Sequence, residues 1–446
     1  MTHPGANLQW PKLVRLEAAA VCDWRQVFMP GALLIQVEGP RKLRVLAMGR
    51  PEEVARHPAS AAARLERYPD GVLIPGLVNA HAHLDLTHIG PRPFEPERGF
   101  GGFIDLVRRE RRLEAQGIAA SVRLGVEKSL AAGVVAVGDI AGAVQGAASS
   151  VATEALAGAG LAGVSFVEYF AIGSGEQRGI RGFVTCIEGL RLHDPRVRVG
   201  MSPHAPNTVS RDMYLAGAVL GELAGLRLAT HVAETPAERD FVERGTGPNR
   251  AFLQKIGLWD DSVLQQLGHG RSPVEHVLET LREWRQGGPM LVHVNDCSDN
   301  DLRAIVAARP DIAYCPNASA YFEAPNAFGP HRYQEMLDQE INVALGTDSV
   351  INQPLGELSI LAEMGLLYRR DGTDAATLLA MGTVNGAAAL GLAREAFEFQ
   401  EEGPLAGVVV ADVEDGRKNP AVHPLGWVLA GKDPRAKLLY IGTDYC

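Results

Sequence analysis

Two histidines, one residue apart, close an apolar run in Pro75-Gly76-Leu77-Val78-Asn79-Ala80-His81-Ala82-His83. Side chains alternate along a strand, so His81 and His83 point to one side. Where that side is a barrel interior, two imidazoles make half of a metal site. His-x-His also arises on solvated loops, so the pair counts only with company. Further along, Leu228-Ala229-Thr230-His231-Val232-Ala233-Glu234 ends another apolar run in a histidine, with a carboxylate three residues on. Leu345-Gly346-Thr347-Asp348-Ser349 brings an aspartate, Leu291-Val292-His293-Val294-Asn295 a histidine, and Met201-Ser202-Pro203-His204 another. All of these polar groups fall where an apolar run stops, whereas unrelated core histidines would scatter along the runs.

Such a His/Asp set suits zinc first and iron second, and is too rich in nitrogen for magnesium or calcium. Three or four protein ligands with one open position generate hydroxide near neutral pH. Proton transfer then needs a group beside it, and Glu234 is the candidate. The competing reading makes Glu234 an acidic residue in the first turn of a following helix, favoured by the helix dipole. Glu168, in Phe166-Val167-Glu168-Tyr169-Phe170, ends a third kind of run. It reads equally as a contact for a ribose hydroxyl or ring amine and as an ion-paired residue of a barrel rim. His57, His88, His193, His269, His276, His331 and His423 have no motif around them and read as surface or packing residues. Other chemistries lack their motifs. The sequence has no Gly-x-Gly-x-x-Gly after a strand, no Walker-type loop, no Gly-x-Ser-x-Gly elbow, no His-Glu-x-x-His and no Pro-Cys-x-x-Cys.

The elements that must carry these residues are eight apolar runs, at 72–85, 133–139, 161–169, 197–204, 226–231, 290–295, 312–316 and 342–348. They are near-continuous Val/Ile/Leu/Ala stretches, as parallel strands covered on both faces require. Helical spacing fills the segments 119–132, 211–224, 236–253 and 302–308 between them. Strand alternating with helix eight times predicts a closed (β/α)8 barrel, whose active site is built at the carboxyl ends of the strands. Outside it, 13–16, 32–37 and 43–48 near the start, and 407–413, 427–430 and 438–441 near the end, read as short β segments. Neither end can bury much core alone. The expectation is therefore a TIM barrel at 72–400 and one small composite β-sandwich made of 1–71 and 401–446. The Gly173-Ser174-Gly175-Glu176 loop is a candidate lid near the mouth.

With 446 residues the chain has room for a barrel of about 250 residues and an accessory domain. No apolar stretch reaches the ~18 residues of a membrane helix, and no signal peptide is read at the start. Five scattered cysteines read as reduced thiols in a cytoplasmic protein. The net charge of −10, without a basic cluster, argues against nucleic acid. The expected partner is a small-molecule substrate, with no membrane; self-association is left open.

From 72 to about 392 these motifs, in this order, resemble the amidohydrolase superfamily. The carriers are Pro75–His83, Ser202-Pro203-His204-Ala205-Pro206, His231-Val232-Ala233-Glu234-Thr235, Val292-His293-Val294-Asn295 and Gly346-Thr347-Asp348-Ser349. Together they resemble its chlorohydrolase and deaminase branch, which includes adenosine/S-adenosylhomocysteine-type deaminases. The run 231–243 and Leu361-Ala362-Glu363-Met364 are most similar to aminofutalosine-deaminase-like members. The resemblance implies His81, His83, His231 and Asp348 as metal ligands. It implies that His293 contacts the activated water or the tetrahedral centre, that Glu234 shuttles protons, and that His204 faces the substrate. A bridging lysine at the end of strand four is missing, which implies one divalent metal. Hydrolytic deamination of an amino-substituted nitrogen heterocycle or purine nucleoside-like substrate is the implied reaction; other C–N, C–Cl or amide hydrolysis on the same mononuclear site is the alternative. Two stretches depart from the family pattern: Cys315-Pro316-Asn317-Ala318-Ser319 after strand seven, and Pro404-Leu405-Ala406-Gly407 in place of Gly-Lys-x-Ala-Asp.

Overall fold

A computed structural model describes residues 10–190, 192, 194–414, 418–419, 421–443 and 445; His193 and Cys446 lie outside the described residues. The chain begins with β1 (Lys12–Cys22), β2 (Val27–Phe28), β3 (Gly31–Gly39), β4 (Lys42–Gly49) and β5 (Arg64–Pro75). Alternation sends Val14, Leu16, Leu33, Ile35, Leu43, Val45 and Leu73 into one shared core. A second series of strands follows: β6 (Leu77–Ala82), β7 (Val134–Ala141), β8 (Ala162–Tyr169), β9 (Val197–Pro203), β10 (Arg227–Val232), β11 (Met290–His293), β12 (Asp311–Tyr314) and β13 (Val343–Leu345). The chain ends with β14 (Gly407–Asp412) and β15 (Ala436–Ile441).

Strands β6 to β13 pair in chain order as parallel neighbours. The circle closes past β13, where the N–H groups of Thr347 and Asp348 both donate to the His81 carbonyl at 3.0 Å. This is the predicted (β/α)8 barrel. Its strands are buried on both faces, as in Val134–Ala141, which explains why they read as unbroken apolar runs. At Gly163 in β8, φ is +145° and an added Cβ would lie 1.9 Å from the Val137 carbonyl oxygen. Only glycine permits that approach between β7 and β8.

The two chain ends meet in one seven-stranded sheet, ordered β15-β14-β5-β1-β3-β4 with β2 on β1. Its far edges come together, since Thr443 N–H, just past β15, donates to Arg41 O, just before β4, at 2.7 Å, and Leu405 N–H donates to Leu43 O at 3.1 Å. The sheet thus closes over its own core in the manner of a sandwich. The run 72–85 is divided between the two units. Residues up to Pro75 belong to β5 of the end sheet, and the barrel's first strand starts at Leu77. The change falls at Gly76, whose N–H donates to Gly407 O at 2.9 Å.

The segment 427–430 is not a strand. It lies in the helix Pro424–Leu429, started by Pro424 at N1 and by His423, whose ring nitrogen accepts from Leu425 N–H. Its apolar residues are buried because the helix packs on the helix Ile360–Asp371, not because they pair in a sheet. The predicted helix at 236–253 is two, Pro236–Arg244 and Gly247–Lys255, broken at Gly245 with φ +66°. Gly173–Gly175 form a short 3-10 turn tied down by Ser174, whose N–H donates to Leu258 O at 3.2 Å and whose hydroxyl donates to Gly257 O at 3.0 Å. Those two bonds tie the candidate lid turn to the loop at Gly257 and Leu258. Among the described residues, no helix is long and apolar enough to cross a membrane.

Candidate active site

Every residue singled out from the sequence lies at the carboxyl end of a barrel strand. His81 is in β6 and His83 follows it; Glu168 is in β8, His204 follows β9, His231 is in β10, Glu234 follows it, His293 ends β11 and Asp348 follows β13. The structure brings these groups together. His83 Nε2 is 3.3 Å from His231 Nε2. Asp348 Oδ1 is 3.4 Å from His83 Nε2 and 3.7 Å from His81 Nε2. The ring nitrogens of His81, His83 and His231 include one atom each within 4.8 Å of the others.

This packing has a chemical signature. Both ring nitrogens of His81, and Nδ1 of His83, are buried without a hydrogen-bond partner. His231 Nδ1 lies 3.0 Å from the His204 carbonyl oxygen, which only accepts, so Nδ1 carries the proton and Nε2 a lone pair. Burial holds the His81 imidazole down to about 3 and those of His83, His231 and His293 well below the usual histidine range. Neutral imidazoles with lone pairs converging on one point, beside a carboxylate, repel one another unless a cation sits between them. A tetrahedral metal with bonds of about 2.0–2.1 Å to nitrogen spaces its ligand atoms about 3.3–3.4 Å apart. The two shortest separations match that figure, so the residues present fit a divalent metal.

Glu234 stands beside this cluster, with Oε1 3.6 Å from His293 Nε2. Its carboxyl is pushed well above the usual range, first by burial and then by the charges of Asp348 and Glu238. It is not the acidic residue of a helix start: that helix begins at Pro236 with Thr235 as N-cap, and its first-turn acid is Glu238. Glu238 holds the turn instead, accepting from Ala233 N–H at 2.7 Å and Glu234 N–H at 3.0 Å. On the opposite wall His204 shares a 2.7 Å hydrogen bond with the Thr208 hydroxyl, and its ring lies 4.6 Å from that of Phe170. Glu168 Oε2 accepts from Ala143 N–H at 2.9 Å. A ligand-type atom of Glu168 lies within 4.8 Å of His204 and His231 ring nitrogens. Arg111 closes this wall, paired with Asp85 at 3.2 Å and donating to Ala143 O at 2.9 Å.

Several contributors were not picked out as site residues from the sequence. Asn79 locks β6 to the loop after β13, accepting from Thr347 N–H at 3.1 Å and donating to its hydroxyl at 2.8 Å. His331 donates from Nε2 to the His293 carbonyl at 2.8 Å and accepts Tyr333 N–H at Nδ1. It is a packing histidine, stacked on Tyr314 at 3.8 Å, but what it packs behind is the site. Asn352 Nδ2 donates to Asp348 Oδ2 at 2.7 Å. The one available signal for Glu238 was its place four residues after Glu234.

Comparison with known proteins bears on the fold and the family. An aminodeoxyfutalosine deaminase of Deinococcus radiodurans is 29% identical over 338 residues, covering 72% of each chain. A 5-methylthioadenosine/S-adenosylhomocysteine deaminase of Natronomonas pharaonis is 27% identical over 409 residues, 89% of this chain and 86% of its own. The crystal structure of atrazine chlorohydrolase from Arthrobacter aurescens, complexed with zinc, superposes with a TM-score of 0.70 at 18% identity, covering 96% of this chain and 94% of that one. The sequence pattern of the amidohydrolase family matches residues 72–402, most of the chain, and the protein belongs to that family.

Proposed function

We propose that this chain is a zinc-dependent deaminase that hydrolyses the exocyclic amine of an adenine-type nucleoside. The observation that carries the reading is the buried Glu234 carboxyl beside His293 at the edge of the histidine cluster. His81, His83, His231 and Asp348 would hold the metal. A divalent zinc there supplies an activated water near neutral pH. One ion suffices: His231 has a single free nitrogen, already turned to His83, so the neighbouring set Glu168, His204 and His231 cannot share it with a second ion. In this reading the catalytic unit expected at 72–400 begins at Leu77, and the two ends, up to Pro75 and from 401, are its β accessory.

The reaction exchanges C–NH2 for C=O and releases ammonia. Glu234 takes a proton from the attacking water and delivers protons to the ring nitrogen and the leaving amine. A carboxyl that burial raises well above its usual range can both take and return a proton. His293 stays neutral, so it steadies the developing oxygen through a hydrogen bond without giving up a proton. His204 and Glu168 lie where the rest of the substrate would lie against β8 and β9. Two of the relatives named above are an aminodeoxyfutalosine deaminase and a 5-methylthioadenosine/S-adenosylhomocysteine deaminase, which favours nucleosides over free bases. The free thiols Cys22, Cys186, Cys297 and Cys315 support a reducing compartment, the cytoplasm.

The test is ammonia release by zinc-loaded protein over 5′-substituted adenine nucleosides, free purines and pterins, with a chlorotriazine as control. Turnover of one or more nucleosides is expected. Chloride release from the triazine with no ammonia from any amine would overturn the deaminase reading and leave the metal centre standing.

A further inference from the structure

Two stretches marked by the sequence, Leu361-Ala362-Glu363-Met364 and Asn317-Ala318-Ser319, meet at a single buried carboxylate. Glu363 lies in the helix Ile360–Asp371, is 0% exposed and has no salt-bridge partner among the described residues. Its charge is satisfied by amide N–H groups alone. Oε2 accepts from Asn317 N–H at 2.8 Å, and the Asn317 side chain also bonds to the carboxylate. Oε1 accepts from Gln353 Nε2 at 3.0 Å. The same Gln353 nitrogen donates its other hydrogen to the Thr347 carbonyl at 2.6 Å. Thr347 immediately precedes Asp348, which sits at φ +56°, a conformation few non-glycine residues adopt.

We infer that Glu363 is a positioning residue that acts through Gln353 to hold the Thr347–Asp348 peptide, and with it Asp348, against the metal centre. The logic is donor against acceptor. Gln353 must present both amide hydrogens, one to a carbonyl and one to Glu363, so its orientation is fixed by an acceptor at 363. A glutamine at 363 offers one oxygen and one NH2 to three donors, two from Asn317 and one from Gln353, so it must abandon either Asn317 or Gln353. If Gln353 then turns over, its oxygen faces the Thr347 carbonyl and the hold is lost. The Asn317 bond ties the segment after β12 to the same point, which is why Asn317 is turned to Glu363.

This inference rests on the metal-centre reading, so the readout is metal itself as well as turnover. Full-length zinc-loaded wild type, Glu363→Gln, Gln353→Met and the double variant are mixed with a colorimetric chelator, and zinc release is timed. Partners of metal ligands typically contribute about 10–100-fold to metal affinity or activity. Each single variant is expected to release zinc about 10–100-fold faster, with kcat lowered and KM within about threefold. The double variant is expected to be no worse than the worse single one, because both break one chain of contacts. A merely structural glutamate would lower the melting temperature and leave zinc release and kcat per folded molecule unchanged. That result, or effects that multiply in the double variant, overturns the relay. Should Glu363→Gln fail to fold, Gln353→Met alone must still speed zinc release, and wild-type release from Gln353→Met overturns it. Wild type that never holds zinc would refute the metal centre instead.

Discussion

Replacing Glu234 by glutamine separates chemistry from architecture, because the structure gives that side chain almost no architectural work. The turn is held by Glu238, which binds the N–H groups of Ala233 and Glu234. The Glu234 carboxylate lies 3.6 Å from His293 Nε2, longer than a hydrogen bond. Glutamine is close to isosteric and removes a carboxyl whose burial already disfavours charge. Folding stability should therefore change by less than about 1 kcal/mol, since the near-isosteric change opens no cavity and breaks no hydrogen bond. Zinc content should stay that of wild type, since Glu234 is outside the ligand set. Turnover should fall by about 10²–10⁴-fold, or roughly 3–5 kcal/mol of barrier, because an amide cannot accept a proton from water and return it. The assay measures zinc by elemental analysis, melting temperature, and kcat on the nucleoside the ammonia screen identifies, all on one preparation. Turnover within about threefold of wild type at full zinc would end the proton-carrier role, being far below what such groups contribute. Loss of zinc would make Glu234 a ligand.

Other perturbations test the remaining links. His81→Ala or His231→Ala should lose zinc together with activity, and wild type should carry one metal per chain; elemental analysis finding close to two would refute the single centre. Gly163→Ala should cost upwards of about 3 kcal/mol, since its methyl would press into the Val137 carbonyl, so an unchanged melting temperature would contradict the β7–β8 packing. Acid should unfold the protein in a defined window. Burial lowers His331 and His276 to about 4, so the unfolded chain binds more protons than the folded one below the ordinary histidine value of about 6.5. Stability contributed by their neutral forms is present above 6.5 and lost as pH falls toward 4, on the order of 3 kcal/mol for each. Urea midpoints that stay level from pH 7 to 4 would show that these rings are not buried neutral.

The barrel was legible because a parallel sheet covered on both faces leaves unbroken apolar runs, and all eight were visible. The site was legible because its side chains end those runs. What the sequence hid is what depends on pairing over long separations. The run 72–85 is uniformly apolar across Gly76, so nothing local shows that β5 joins β14 while β6 joins β7. The stretch Trp427-Val428-Leu429-Ala430 is apolar and short, and period alone cannot tell a buried strand from a buried turn of helix. The start signal at His423-Pro424 settles it as helix. The roles of Asn79, His331 and Glu363 stayed hidden for another reason, although Asn79 and Glu363 lie in stretches that carry the family resemblance. Each acts on backbone groups of distant residues, and a hydrogen bond to a peptide leaves no spacing pattern in either segment.

That difference also bears on how the site is held. Ala233, His293, Val294 and Asp348 all have positive φ, between +52° and +73°, and all follow or end barrel strands at the mouth. Each such residue costs on the order of 1–2 kcal/mol, and none would persist without surroundings that overdetermine it. The surroundings are identifiable. Ala233 is fixed by Glu238 on its N–H and by Asp296 N–H on its carbonyl at 3.0 Å. His293 is fixed by His331 on its carbonyl, and Val294 by its N–H to Val232 O at 3.0 Å. Asp348 is fixed by its N–H to His81 O and by Asn352 on its carboxylate. Strand pleat alone would leave these residues alternating between barrel interior and outer layer. The left-handed turns break that alternation where Glu234, His293 and Asp348 must face one point. The buried polar groups behind the strands are thus the counterpart of strain in front of them, and removing one should loosen the metal centre before it unfolds the barrel.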